Sequence, residues 1–247
     1  MTGLIALTER QVRASYRNLD IVFAVLAPVL TFVGITVALR NVIDTGGISY
    51  PQYVLPAVVV QAMLFGALNT TDIAASERAS EFGVRLRTFP ISAYAPMTAR
   101  MLYCLIRGSL ALVAAIAVAY AFGFRMDGGL VFGAAFVLLS LVLTLALSFG
   151  ADATGARAKR SDTSSQLLMV PQLLLVLLST GMAPVESFPR WVQPFVEYQP
   201  ISQITETLRG FASGEVVAAN LTITLVWCIG LLSGLGYLAL QAQRRPR

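Results

Sequence analysis

Six stretches of this chain stay apolar for long enough to leave water altogether, and no other feature narrows the possible folds as much. They fall near Ile21–Leu39, Val54–Thr71, Tyr103–Phe124, Leu130–Ala151, Gln166–Ala183 and Leu221–Leu240. A hydrocarbon core of about 30 Å takes about 20 helical residues at about 1.5 Å each. Lipid offers no partners to backbone N–H and C=O groups, so each stretch must close its own hydrogen bonds as an α-helix. The expected fold is an all-α integral membrane protein of six transmembrane helices, one domain over residues 1–247. Composition agrees: 56% of the residues are hydrophobic and only 13% charged, an apolar share above that of soluble domains.

Charge orients the bundle. A net charge of +5 invites a nucleic-acid reading, but the basic residues flank the spans instead of forming one patch, so no nucleic-acid partner is expected. With both termini cytoplasmic, the inner segments hold Arg10, Arg13, Arg17, Arg78, Arg85, Arg87, Arg100, Arg107, Arg157, Lys159, Arg160, Arg244, Arg245 and Arg247. The outer segments hold Arg40, Arg125, Arg190 and Arg209. Fourteen against four is a positive-inside asymmetry, which fixes an even number of spans in a cytoplasmic membrane, crossed several times. Arg107 then reads as a span end that snorkels to the interface, not as a buried charge. The first twenty residues lack an apolar core with a small-residue cleavage site, so no removable signal is expected.

Several chemistries lose their residues. There is no histidine, which removes the commonest general base and metal ligand; no metal and no catalytic residue are expected. No G-x-x-x-x-G-K-[ST] occurs, so any ATP and Mg belong to a separate subunit and no cofactor is expected on this chain. Cys104 and Cys228 lie in or beside apolar spans and read as small hydrophobes without a disulfide. Asp72 and Asp152 sit near inner span ends, away from the mid-depth position of a proton relay, and no repeat relates the halves. A stand-alone ion-coupled carrier is therefore the alternative function and not the first one. An intramembrane lipid enzyme would need a nucleophile and base in reach of each other, and the lack of histidine counts against it. Gln61, Asn69, Ser140, Thr144 and Gln172 are polar positions inside spans, candidates for a transport pathway or for interhelical hydrogen-bond glue. Walls otherwise of Leu, Val, Met and Phe suit an amphiphilic or apolar cargo.

Two inner segments carry helical patterns. Over residues 3–19, Ile5, Val12, Tyr16 and Leu19 share one arc and Arg10, Arg13 and Arg17 the opposite one, which predicts an interfacial helix within residues 1–20 on the inner membrane surface. The plainer alternative is a basic flank that only sets orientation. In 72–90, Glu77 and Arg78 are expected to open a helix in which Phe82, Leu86 and Phe89 make a ridge and Pro90 ends it. Such a ridge among charges seeks a partner or packs on its own membrane domain.

The outer segment after the fifth span is too aromatic for a solvated loop and too often broken for one span. Gly181 and Pro184 permit a break, Phe188 and Trp191 suit the interface, and Pro194 and Pro200 cut two short helical pieces. After Pro200, Ile201, Ile204, Leu208 and Phe211 recur at helical spacing, with Gly210 or Gly214 to end the piece.

At these residues the chain resembles the type-2 ABC exporter permeases of the daunorubicin-resistance type (DrrB/DrrC), the DrrC form most. The match runs through Ser179-Thr180-Gly181, Pro184, Pro189, Trp191, Gln193-Pro194-Phe195, Gln199-Pro200 and Arg209-Gly210-Phe211. Glu77-Arg78 with Leu86 and Pro90 resembles the family's coupling segment, although Glu81 stands about where the family has glycine. The resemblance implies a half-transporter: two permeases, identical or homologous, on two ABC ATPase subunits that bind ATP and Mg. It implies that the N-terminal helix, with Arg10, Arg13 and Arg17, contacts the ATPase and that Glu77, Arg78, Phe82, Leu86, Phe89 and Pro90 couple to it. It further implies that residues 184–214, with Gly181, Pro184, Pro189, Trp191, Pro194, Pro200 and Arg209, form short re-entrant helices capping the exit. Cargo in this family includes antibiotics and complex envelope lipids.

Overall fold

In the computed structural model the described residues are 2–40, 49–80, 92, 94–158, 161–181 and 183–244. They form α1 (Thr2–Arg17), α2 (Asp20–Leu39), α3 (Tyr50–Ala79), α4 (Ala95–Ala121), α5 (Gly129–Gly155), α6 (Ser161–Leu177), a 3₁₀ turn (Val185–Ser187), α7 (Gln193–Tyr198), α8 (Pro200–Ser213) and α9 (Ala218–Arg244). No strand occurs among the described residues. The helices α2, α3, α4, α5 and α9 are long and apolar enough to cross a membrane, which makes this a multi-pass membrane protein.

The expected fifth span takes a different form. Helix α6 has 17 residues, of which only Leu168–Leu177 form an apolar helical stretch, and its first turns are Ser-Asp-Thr-Ser-Ser-Gln. Helical hydrogen bonding runs out past Leu177, where the chain bends back against α8: the Thr180 N–H donates to Ser202 Oγ at 3.1 Å. The two ends of α6 nevertheless lie at opposite ends of the bundle. It begins shortly after the C-terminal end of α5, which packs on Thr71 and Ala74 of α3, while Thr180 accepts from Tyr53 Oη at 3.2 Å beside the N-terminal end of α3.

Helix α3 is the hub, in contact with α2, α4, α5, α6 and α8. Its buried Leu55, Val58, Val59 and Met63 pack with Phe32 of α2, Leu112 and Ala115 of α4, Phe136 and Leu143 of α5, and Ile204 and Leu208 of α8. Small residues set the spacing. Ala111, Ala115 and Ala119 recur every fourth position along the buried face of α4. A Cβ on Gly108 would stand 3.0 Å from Thr144 Cγ2, and one on Gly155 would run into the Thr71 carbonyl. Close approach of this kind holds membrane helices together where no hydrophobic difference separates helix from lipid.

Two helix ends differ from the hydropathy reading. Helix α3 continues to Ala79, well past Thr71, and α4 begins at Ala95, well before Tyr103. Glu77 and Arg78 therefore lie in the last turn of α3 and do not open a new helix; Phe82, Leu86, Phe89 and Pro90 fall outside the described residues. Ion pairing explains the extension, because Glu77 is needed in helical register to meet Arg100 of α4. Arg107 is also corrected: its side chain is 12% exposed and paired with Asp20, so it is a largely buried partner and not a snorkelling end.

Candidate coupling and transport sites

Two ionic nodes tie the helices together towards the C-terminal end of α3. In the first, the Arg100 guanidinium donates through Nε to Asp152 Oδ1 at 2.6 Å and through Nη1 to Glu77 Oε2. Asp152 is fully buried, and its other oxygen accepts from Gln243 of α9 at 3.2 Å. Glu77 also accepts from Gln11 Nε2 of α1 at 2.7 Å and pairs with Arg10 at 3.6 Å. One guanidinium thus joins α3, α4 and α5, while its carboxylate partners recruit α1 and α9. A lone charge at this depth would be costly, so each is met by an opposite one.

In the second node, Asp20 at the start of α2 accepts from Arg107 Nε at 3.1 Å, Asn69 Nδ2 at 3.0 Å, Ser15 Oγ at 3.1 Å and Tyr103 Oη. Ser15 Oγ lies 2.5 Å from Tyr103 Oη. Arg100 and Arg107 are seven residues apart on α4, two turns on one face. Gln11 and Ser15 are four apart on α1, so α1 reaches both nodes from a single face. Ile5 and Tyr16 of α1 and Leu19 in the turn beyond it are exposed, and Arg13 pairs with Glu9 at 2.5 Å. The turn into α2 passes through Leu19 at φ +58°, a left-handed conformation that costs a non-glycine residue about 1 kcal/mol or more.

After α6, Pro194 and Pro200 each stand in the first turn of a helix, α7 and α8, where a missing N–H costs nothing. Gly214 ends α8 at φ +83°. Helix α8 presents Ile201, Ile204, Leu208 and Phe211 as expected, yet Ser202, Gln203, Thr205 and Thr207 are buried too. It is inserted among α3, α5 and α9, so the polar face needs internal partners: Thr207 Oγ1 lies 2.8 Å from Thr224 Oγ1, and Thr224 donates to the Gln203 carbonyl. Arg209 fastens this end. Its Nη2 donates to the Tyr53 carbonyl at 3.1 Å, its Nη1 to Glu206 at 2.6 Å, and its guanidinium lies 3.9 Å from the centre of the Tyr53 ring. Gly181 is buried beside it, where a Cβ would come 2.9 Å from Ala57 Cβ. Pro184 precedes the 3₁₀ turn, Pro189 accepts from the Val192 N–H, and Trp191 is 84% exposed, with Phe195 and Tyr198 exposed nearby.

The polar span positions divide. Asn69 serves the Asp20 node, and Ser140 donates to the Phe136 carbonyl of its own helix. Thr144 donates to the Ser140 carbonyl and lines, with Met63, Cys104 and Arg107, a cavity of about 10 Å³. Gln61 lines a second cavity of about 30 Å³ between α2 and α3. Gln172 is half-buried on α6. Both cysteines are buried and free. Sequence reasoning missed the two nodes. Their signal was present as opposite charges, Asp20, Arg107 and Asp152, written into or against apolar stretches, where unpaired charges are rare.

The sequence profile of ABC-2 type transporters matches residues 2–211, which takes in both nodes except Gln243 and the segment after α6 as far as Phe211. The chain belongs to the ABC-2 type transporter family. Relatives fall in line. It is 25% identical over 218 residues to the probable doxorubicin resistance ABC transporter permease protein DrrC of Mycobacterium tuberculosis, covering 86% of this chain and 77% of the relative. It is 32% identical over 182 residues to the doxorubicin resistance permease DrrB of the same species, covering 71% and 63%. To the daunorubicin resistance permease DrrB1 of Streptomyces coeruleorubidus it is 25% identical over 195 residues, covering 79% and 69%. This ABC-2 permease is thus the transmembrane, non-catalytic subunit of an ABC exporter. The ion-coupled carrier gives way to that reading.

Proposed function

We propose that this permease crosses the cytoplasmic membrane six times with both termini inside, pairs with a second permease, identical or homologous, and docks on two ABC ATPase subunits that hold ATP and Mg. The sixth crossing is α6, supported by its polar start near the inner end of α5 and by Thr180 at the outer end of α3. The cargo is an amphiphilic or apolar molecule, a drug or a complex lipid, moved outward. Relatives named for doxorubicin and daunorubicin resistance support a drug.

The observation that carries the mechanism is the tie between Glu77 and Arg100. The proposed coupling segment, residues 77–90, begins in the turn of α3 that bears Glu77. A push by the closing ATPase pair on Phe82, Leu86, Phe89 and Pro90 would pass through Glu77 and Arg100 to Asp152 of α5 and Gln243 of α9. Arg78, and Arg10, Arg13 and Arg17 on α1, would extend the docking surface. At the outer end, Gly181, Pro184, Pro189, Trp191, Pro194, Pro200 and Arg209 would form the re-entrant cap over the exit. Gln61, Asn69, Ser140, Thr144 and Gln172 would border the route between them.

Because Glu77 is an internal ion-pair partner, replacing it tests folding before it tests coupling. The decisive change is Phe82→Ser with Leu86→Ser. Export and co-purification of the ATPase should fall together while the permease remains monodisperse in detergent; undiminished association would overturn the coupling assignment. Trp191→Ala should instead slow release of cargo and leave ATPase association intact.

A further inference from the structure

Arg107 answers Asp20 with only one corner of its guanidinium. Its Nε donates to the two Asp20 oxygens at 3.1 and 3.3 Å, and its side chain makes no other hydrogen bond among the described residues. Nη1 and Nη2, each with a pair of N–H donors, are left over. A Cβ on Gly66 would stand 3.0 Å from Nη1, so this end of the group lies against the backbone of α3. Arg107 is near the middle of α4 and largely buried, where donors without acceptors are costly.

The guanidinium faces a small chamber. The 30 Å³ cavity is lined by Arg107, by Gln61 of α3 and by Ala24, Pro28 and Thr31 of α2. Its other polar groups have capacity to spare. The side chains of Gln61 and Thr31 make no hydrogen bond among the described residues. Pro28 has no N–H, so the Ala24 carbonyl, four residues earlier in α2, loses its helical donor. Donors on Arg107 and Gln61 and acceptors on Gln61, Thr31 and Ala24 thus border one space.

Size and charge name the ligand. A water needs about 10–15 Å³ of such space and two to four polar partners, so the cavity takes about one or two waters and no larger head. An anion would meet the Arg107 donors, but that charge is already balanced by Asp20, and the Ala24 carbonyl would oppose it. We propose that this cavity is a hydration site, in which internal water accepts from the unused face of Arg107 and donates to Gln61 Oε1 and the Ala24 carbonyl, with Thr31 as a further partner. The water ties α2 to α3 and α4 within the spans. It keeps the Arg107 charge solvated where lipid offers no partner, and it gives the proline-broken turn of α2 the donor its own helix lacks.

The test exposes the full-length permease in phosphatidylcholine nanodiscs to X-ray-generated hydroxyl radicals, which arise only where water is. Phe65 and Pro28, at the cavity, should be oxidised, while the buried Phe32 and Phe136 and the lipid-facing Leu138 should not. Gln61→Met removes a polar partner and Ala62→Leu fills the space, and each should suppress the label at Phe65 and Pro28. The sign of a thermal shift gives a second readout. If water bridges Gln61, Gln61→Met should lower the melting temperature by roughly 2–8 °C, whereas an unmet amide replaced by an apolar side chain of like size would leave stability unchanged or raise it. Exchanging chloride for gluconate should not move the melting temperature. Phe65 and Pro28 as silent as Phe32, a Gln61→Met protein at least as stable as the native one, or stabilisation by chloride would each overturn the proposal, the last in favour of a bound anion.

Discussion

Arg100→Ala should be among the most damaging single changes in the membrane domain. The Arg100 side chain is 7% exposed and lies between a Glu77 that is 11% exposed and an Asp152 that is fully buried. Truncation strands two carboxylates facing each other with only Arg10 and two glutamine amides for compensation. Removing one partner of a buried ion pair costs about 3–5 kcal/mol, most of it the unmatched charge left behind. For a domain of this size each kcal/mol moves the melting temperature by about 2–4 °C, so a fall of roughly 6–20 °C is expected. Fluorescence-detected size-exclusion after heating in detergent reads this directly. Adding Asp152→Asn on the Arg100→Ala background removes one stranded charge and should recover part of the loss, a non-additivity of about 0.5–3 kcal/mol. A melting temperature within about 2 °C of the native protein, or strictly additive effects, would refute the node as an energetic unit.

The outer fastening predicts that Arg209→Lys, which keeps the charge but loses the planar fork, costs about 1–2 kcal/mol, and Arg209→Ala more, measured as above with ATPase co-purification unchanged. Gly155→Val should cost about 1–3 kcal/mol because its side chain meets the Thr71 carbonyl and Ala74, and the loss of thermal stability should be larger than for Gly234→Val, where nothing lies within 4 Å. Leu19→Gly, relieving the left-handed turn, should hold or raise the melting temperature, whereas Leu19→Val, stiff at that φ, should lower it.

How much could be read in advance depended on whether the cause was local. Apolar length located the helices, since α2, α3, α5 and α9 each contain an expected span and α4 contains all but the last three residues of one. Proline chemistry located the starts of α7 and α8 for the same reason: Pro194 and Pro200 act through their own missing N–H. The helical periodicity of residues 3–19 fell on α1, Thr2–Arg17, with Leu19 left in the turn beyond it. Pairing between distant segments was not local. Glu77 looked like the opening of a new helix because nothing nearby in sequence reveals Arg100, 23 positions later, as the partner that keeps it in α3. Arg107 looked like a snorkelling end because Asp20, 87 positions away, is invisible to a hydropathy window. The polar face of α8 likewise made sense only after α9 supplied Thr224.

The placement of the nodes bears on how a stroke would travel. Arg100 and Arg107 share one face of α4, and Gln11 and Ser15 of α1 reach Glu77 and the Asp20 group in the same register. Neither node can shift along α4 without α1 following, so the interfacial helix and the end of α3 behave as one lever if residues 81–90 receive the proposed push. At the opposite end Arg209 holds α8 to Tyr53 of the same α3. Tied at both ends, α3 is poorly placed to slide; it is better placed to tilt, opening one flank while closing the other. The flank between α2 and α3 holds the cavity lined by Gln61, and the cavity at Thr144 adjoins it between α3, α4 and α5, where Ala62, Gly66 and Gly108 are small. Spin labels at exposed Ile5 and Leu30 should therefore change separation on ATP binding to the assembled transporter, while a pair on α1 and α4 at exposed Glu9 and Leu102 should not. An α1–α4 distance that moves as much as the α1–α2 distance would show that the nodes break during the cycle and that the lever is not rigid.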